Sequence, residues 1–323
     1  MRALVCRAWG AVEDLVVDEL PAPVPAADQV LIEVGATAVN YADAIMVGGT
    51  YQTKPPLPFA PGLETAGTVI GVGAKVTRFK PGDRVMALLA YGGLAEQAVA
   101  AEGDSWLIPD GMPFDDAAAF PVAYLSSDVA LRWNGRLAAG ETLLVLGASG
   151  GVGLTAVEIG KAMGARVIAA ASTREKLEAA RSRGADHLVN YNEQDLTEAV
   201  MKVTGDQGAD VCFDPVGGEY FDKALSSLGW GGRIVLVGFV GGIPQIPANR
   251  LLVKNRSACG SSLRFFRWNQ HDKITESCAT LLRWYAEGKL KPMITREFLL
   301  DEAVSALKLL TGRQAMGRIL VRP

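Results

Sequence analysis

Leu143-Leu144-Val145-Leu146-Gly147-Ala148-Ser149-Gly150-Gly151-Val152-Gly153-Leu154 passes from an apolar strand through a glycine-rich turn into an apolar helix. Glycines let the backbone bend tightly and come close to an anion, and the helix start that follows offers unbonded N–H groups and the positive end of its dipole. The strict Gly-x-Gly-x-x-Gly fingerprint begins here with Ala148, giving Ala148-x-Gly150-x-x-Gly153. A glycine turn can also do no more than pack a helix on a strand. The strand, turn, helix and second strand occur here in order, which points instead to a βαβ unit that cradles the pyrophosphate of a dinucleotide.

The end of the second strand, Arg166–Ala170, selects the dinucleotide. An acid there would hold a ribose 2′-hydroxyl. This chain continues Ala171-Ser172-Thr173-Arg174-Glu175-Lys176. Ser172 can hydrogen-bond a 2′-phosphate and Arg174 or Lys176 can neutralise it, so NADPH is expected over NADH. Taken singly, either cation reads equally well as a solvated charge on a first helical turn; position next to the missing acid tips the balance to the phosphate, with Glu175 between them weighing against it.

Outward from this motif the chain divides. After Glu141, strands Thr142–Leu146, Arg166–Ala170, His187–Asn190, Val211–Asp214 and Arg233–Val237 alternate with helices Leu154–Met163, Arg174–Ser182 and Leu196–Val203, the pattern of a parallel sheet covered on both faces. The first third reads as short strands, Arg2–Cys6, Leu15–Glu19, Gln29–Val39, Gly67–Val72 and Arg84–Leu89, in a partly barrel-like β domain with few helices. Pro55-Pro56-Leu57-Pro58-Phe59-Ala60-Pro61-Gly62 is too rich in proline for a central strand and is expected to be a loop. In the tail, Ile274–Glu287 is amphipathic, Glu297-Phe298-Leu299 resembles a strand, and Asp301 can cap a helix through Leu310. The expected domains are 1–122, 123–262 and a return segment 263–323 that completes the first domain.

With 323 residues, 49% hydrophobic and 21% charged, the chain has the composition of a globular protein of two domains. A net charge of −3 gives no positive field for nucleic acid or an anionic membrane. Arg264, Phe265, Phe266, Arg267 and Trp268 form a short basic-aromatic run, better read as a pocket edge than as a nucleic-acid surface. No apolar run is long enough to span a bilayer, and charge interrupts Met1–Arg7 too early for a signal sequence, so a cytoplasmic location is expected. Cys6, Cys212, Cys259 and Cys278 lie far apart and read as buried thiols, and neither His187 nor His271 has a partner at ligand spacing.

The chain resembles the zinc-free quinone oxidoreductase branch of the medium-chain dehydrogenase/reductase superfamily. The matching segments run along nearly its whole length: Val39-Asn40-Tyr41-Ala42-Asp43, Pro61-Gly62-Leu63-Glu64, Ala66-Gly67-Thr68-Val69, Lys80-Pro81-Gly82-Asp83-Arg84-Val85, the Gly147–Gly153 turn, Gly184-Ala185-Asp186 leading to Asn190-Tyr191, Gly288-Lys289-Leu290-Lys291-Pro292 and Gly317-Arg318-Ile319-Leu320-Val321. The resemblance implies an α/β protein with a GroES-like, mainly-β catalytic domain and a Rossmann doubly wound cofactor domain. Zinc-dependent relatives carry metal ligands where this chain has Asn40 and Leu63, and a cysteine-rich lobe where Met86–Gln97 has no cysteine, so no metal is expected.

By the same resemblance, Asn40 and Ser126 lie near the nicotinamide end and Asp43 beside the pocket. Ser149, Gly150, Gly151 and Val152 hold the pyrophosphate. Ser172, Lys176 and Tyr191 surround the adenosine phosphate, while Val216, Phe239 and Val240 border the nicotinamide ribose. Tyr51 matches a tyrosine near the substrate, a candidate hydrogen-bond or proton donor that equally fits as a packing aromatic, and Asn40 is the second catalytic candidate. Without zinc to polarise a simple carbonyl, the expected acceptor is a conjugated one, which delocalises the incoming charge. The implied function is an NADPH:quinone reductase. An enone or enoyl (alkenal) reductase is the near alternative, and a non-catalytic NADPH-binding structural or regulatory protein the distant one. The family also implies a homodimer, joined at sheet edges near Ser257–Ser262.

Overall fold

Val30, Ile32, Val34 and Ala36 turn inward along one strand while Glu33 stays exposed, the period-two pattern of a sheet with one face on a core. In the computed structural model, which describes Met1–Pro323, that strand is β3 (Gln29–Ala38). Before it come β1 (Arg2–Val5) and β2 (Val16–Glu19), an antiparallel pair. After it come helix α1 (Tyr41–Val47), strands β4 (Glu64–Val72), β5 (Arg84–Leu88), β6 (Gln97–Ala101) and β7 (Ser105–Leu107), and helices α2 (Phe114–Ala118) and α3 (Pro121–Asp128). β3 pairs antiparallel with β4 on one side and β6 on the other, β4 with β5, and β5 with β7.

The middle of the chain alternates as its apolar runs require. β8 (Thr142–Leu146), α4 (Gly151–Ala162), β9 (Arg166–Ala171), α5 (Arg174–Ser182), β10 (His187–Asn190), α6 (Leu196–Thr204), β11 (Ala209–Asp214), α7 (Gly218–Ser226) and β12 (Leu228–Leu236) are followed by α8 (Ala248–Leu252), β13 (Ser257–Gly260), α9 (Leu263–Asn269) and α10 (His271–Ala286). The six strands lie in the order β10-β9-β8-β11-β12-β13, every neighbouring pair parallel. Strand order reverses between β8 and β11, which places the crevice beyond their carboxyl ends, where such sheets bind ligands. Leu143, Leu144, Val145 and Leu146 are all buried, because a strand covered on both faces has no side that tolerates polarity.

The tail adds β14 (Ile294–Leu299), α11 (Ala303–Thr311) and β15 (Arg318–Arg322). β15 pairs antiparallel with β3 and parallel with β14, extending the first sheet. The chain thus divides into Met1–Val122 with Pro292–Pro323, and Ala123–Lys291. Residues 263–291, expected to open the return segment, group instead with the second unit, for two reasons. Ile274, Cys278 and Leu281 of α10 are buried, and Ser277 accepts the indole N–H of Trp133 at 3.0 Å.

Other differences are local. α1 was not foreseen, because Asn40 and Asp43 cap a helix only seven residues long. β6 and β7 were missed since Gln97–Ala101 is mostly alanine and Ser105–Leu107 is three residues long. In α9, Phe265 and Trp268 meet edge to face at 5.7 Å and the Arg264 guanidinium sits 4.2 Å from the Trp268 ring, so much of the basic-aromatic run is spent on itself. No helix is long and apolar enough to cross a membrane.

Candidate functional site

The turn after β8 is built around two glycines. Gly147 adopts φ +57°, and a β-carbon on Gly153 would stand 2.1 Å from the Gly147 carbonyl oxygen and 2.9 Å from Ala148 Cα. Gly153 therefore lets α4 start against the end of β8. Gly150 N–H bonds to Gly147 C=O at 3.0 Å, and the first helical bond runs from Leu154 N–H to Gly150 C=O at 2.9 Å. The amides of Gly151, Val152 and Gly153 precede that bond and have no acceptor within the helix. Ser149, nearly buried, lies in the same turn. A helix start with three amides that lack a helical acceptor fits an anion.

A second group forms at the carboxyl ends of the adjacent strands. Ser172 follows β9 and Tyr191 follows β10, brought side by side by the Asn190–Ala171 pairing and the bond from Tyr191 N–H to Ala171 C=O at 3.2 Å. Thr173 caps α5 by accepting from Lys176 N–H. That cap aims the Lys176 side chain back over the strand end, with Nζ 3.4 Å from Ser172 Oγ. Asn192 Nδ2 donates to Ser172 C=O at 3.0 Å, and the Tyr191 and Tyr220 rings lie 4.5 Å apart. Arg174 is exposed on the first turn of α5.

A third group follows β11 and β12. Gly241 N–H donates to Val216 C=O at 2.7 Å and Gly218 N–H to Gly242 C=O at 2.8 Å, so the loop carrying Val216 and the loop carrying Phe239 and Val240 are laced backbone to backbone. β-Carbons on Gly217 or Gly218 would strike the carbonyls of Gly242 or Gly241 at 2.5 and 2.4 Å. Val216 also borders the first group, its Cγ2 lying 3.1 Å from where a Gly147 β-carbon would be. Asp214 Oδ1 accepts from both Val216 and Gly217 N–H at 2.8 Å while Oδ2 is buried without a partner, and burial raises the carboxyl above its ordinary value. Ser126 is half-buried on α3 in this same unit.

Asn40, Asp43 and Tyr51 belong to the other unit. Asp43 is completely buried, and its oxygens accept from Asn40 N–H at 2.7 Å and Gly62 N–H at 3.2 Å. Asn40 Nδ2 donates to Glu64 at 2.8 Å and to Ala38 C=O at 3.2 Å, while Oδ1 accepts from Arg318 at 3.1 Å. Arg318 also pairs with Glu64, which accepts Val122 N–H at 2.7 Å. Both amide protons of Asn40 are thus committed inside the protein, leaving it no donor for a substrate, and Asp43 presents no surface to a cofactor. A buried carboxyl must spend its oxygens on protein donors. Tyr51 is half-buried and packs against the cluster of Met46, Val47 and Phe59.

Sequence reasoning missed Glu64 and Arg318 as partners of Asn40: each stands in a segment quoted for the resemblance, but they lie 24 and 278 residues from Asn40, so no local pattern joins the three. It also missed Ser127, the buried neighbour of Ser126. A zinc ion does not fit: Leu63 offers no ligand atom, Asn40 is saturated, and no three His, Cys, Asp or Glu side chains are grouped to hold a metal.

Residues 26–110 match the alcohol dehydrogenase GroES-like domain family and residues 151–283 the zinc-binding dehydrogenase family. The chain is 37% identical to quinone oxidoreductase-like protein 2 of Rattus norvegicus over 323 residues, covering 99% of this chain and 91% of the relative. It is 32% identical to the quinone oxidoreductase of Homo sapiens over 324 residues, covering 99% and 97%. The crystal structure of Escherichia coli quinone oxidoreductase complexed with NADPH superposes with a TM-score of 0.94 at 28% identity, covering all of both chains.

Burial, the largest influence, lifts the Asp43 carboxyl from 3.8 to about 7. A carboxyl raised on folding adds stability that is fully present below its unfolded value and is lost as pH rises through the folded one. Wild-type stability should therefore fall relative to Asp43→Asn between about pH 4 and 7 and hold a constant offset above; urea unfolding across that range checks it, and parallel profiles would refute it.

Proposed function

The chain belongs to the quinone oxidoreductase-like branch of the medium-chain dehydrogenase/reductase superfamily, and from that premise we propose that it is an NADPH-dependent reductase of quinones or other conjugated carbonyl compounds. The observation that carries the cofactor choice is the end of β9, where Ser172 stands in the place of an acid and Lys176 reaches its hydroxyl. Bound NADPH would supply the hydride. The amides of the Gly147–Gly153 turn, with Ser149, Gly150, Gly151 and Val152, hold its pyrophosphate. Ser172, Lys176 and Tyr191 hold the adenosine phosphate, and the laced loops bearing Val216, Phe239 and Val240 border the nicotinamide ribose. Ser126 stays in the proposal as a nicotinamide-side contact.

A conjugated acceptor suits this chain because its charge spreads onto oxygen without a metal, leaving the protein to orient the partners and donate one hydrogen bond. Asn40 spends both amide protons inside the protein, and we assign the donor role to Tyr51, which matches a tyrosine near the substrate in the family. Glu64 and Arg318 fix the orientation of the Asn40 amide, and Asp43 fixes the start of α1.

The chain is further proposed to act as a homodimer. β13 is an edge strand with its outer side unpaired, and Trp230, Ile243, Leu252 and Val253 around it are all more than 70% exposed. Unpaired edges and clustered apolar side chains are surfaces that proteins cover by association.

Four outcomes test these assignments. In Ser172→Ala/Lys176→Ala the KM for NADPH should rise about tenfold or more with that for NADH little changed, as expected on losing two bonds to a dianion; equal effects would remove the phosphate assignment. Oxidation of NADPH should follow addition of benzoquinone, a naphthoquinone or a cyclic enone, and Tyr51→Phe should lower kcat by roughly tenfold or more. Turnover of no acceptor despite NADPH binding would favour a non-catalytic role, and unchanged kcat in the variant would discard Tyr51. Light scattering should give twice the 34.2 kDa chain mass, reduced to one chain in Leu252→Asp/Val253→Asp; a wild-type monomer would reject the dimer.

A further inference from the structure

Two buried hydroxyls meet beneath the first turn of α4. Ser127 Oγ lies 3.0 Å from the Val152 carbonyl oxygen and 2.8 Å from Thr155 Oγ1. Thr155 Oγ1 in turn lies 3.0 Å from the same carbonyl and 3.2 Å from that of Ala123. Ser127 is fully buried and Thr155 nearly so. Two hydroxyls have two protons between them, and an O···O separation of 2.8 Å requires one proton to lie between the oxygens. If Ser127 gave its proton to Thr155, the Val152 carbonyl would depend on Thr155 alone, which already sits one turn along the same helix. Two arrangements use contacts of equal length, Thr155 donating to Ser127 and Ser127 to Val152 C=O, or Ser127 donating to Thr155 and Thr155 to Val152 C=O, and in both the relayed bond ends on that carbonyl.

That end point matters because the Val152 carbonyl shares its peptide with the Gly153 N–H, one of the three first-turn amides of α4. A carbonyl that accepts a hydrogen bond draws electron density toward its oxygen, so its own N–H becomes a stronger donor, and successive bonds in a chain reinforce one another. Ser127 sits on α3, outside the turn, so the contact also fixes the peptide plane from beyond the helix. Gly153 has no side chain with which to hold that plane.

We propose that Ser127 and Thr155 are positioning residues: a hydroxyl relay that orients and polarises the Val152–Gly153 peptide toward the pyrophosphate of the bound dinucleotide. This rests on the cofactor reading above and extends it to residues that touch no ligand. The relay is specific to the bridge between the two halves of the dinucleotide. The adenosine phosphate is gripped elsewhere, by Ser172 and Lys176.

That separation supplies the test. NADPH and 2′-AMP, which has the 2′-phosphate but no pyrophosphate, are titrated against the full chain, Ser127→Ala, Thr155→Val and the conservative Ser127→Thr and Thr155→Ser, with thermal unfolding of each. The dissociation constant for NADPH should rise about three- to tenfold in Ser127→Ala and Thr155→Val, as expected for one buried hydrogen bond. That for 2′-AMP should stay within twofold, and the hydroxyl-retaining variants should recover NADPH affinity. A drop in unfolding midpoint with NADPH affinity unchanged, or equal loss of both ligands, would overturn the relay. A wild-type chain that binds neither ligand would overturn the cofactor reading itself.

Discussion

Gly153 stands so close to the Gly147 carbonyl that no side chain could be placed between them, and that contact sets where α4 begins. Like any helix start, that of α4 leaves its first amides without a helical acceptor, and the contact puts them at the end of β8. The carboxyl ends of β9, β11 and β12 follow from the parallel register of the sheet, so the three residue groups of the second unit share one edge without any of them being near in sequence. Once that turn is set, the strand-end residues need only be the right types. At the end of β9 the chain carries Ser172, contacted by Lys176, where an acid stands in a protein that selects the unphosphorylated cofactor.

The first unit depends on a different constraint, the cost of placing charge in a core. Glu64 and Asp43 are both fully buried, and Arg318 is the one cation among the residues bonded to them. Burial pushes Glu64 upward while Arg318 and the Asn40 amide oppose it. A buried carboxylate without such partners would be strongly destabilising, so the cluster is closed on itself: Asn40 bridges Glu64 and Arg318, and Asp43 ties Asn40 to Gly62. β15 brings Arg318 to this place by pairing with β3, which explains why the last residues of the chain belong structurally with the first.

Much of this was legible from residues alone, and for an identifiable reason. Strands β8, β9 and β10 and helix α5 were located within a residue because each is a compact apolar or amphipathic run bounded by glycine or polar residues. The glycine turn and the proximity of Ser172 and Lys176 were also visible, since both are local patterns spanning a few residues. Where the local signal was thin, in alanine-rich β6, three-residue β7 and seven-residue α1, the elements were missed, because partners across the sheet or a buried capping acid stabilise them.

The sequence by itself determined the division into a β-rich and an alternating region, the family, the glycine turn and the types of residue at each strand end. Those are properties of spacing along the chain. Only the tertiary structure decided that Asn40 and Asp43 face inward, that α10 belongs with the parallel sheet, and that Ser127 rather than Ser126 reaches the first turn of α4. Each of those depends on which distant group completes a hydrogen bond or covers an apolar face. A covalent chain records neighbours in order and carries no mark of the partners that folding brings across hundreds of residues.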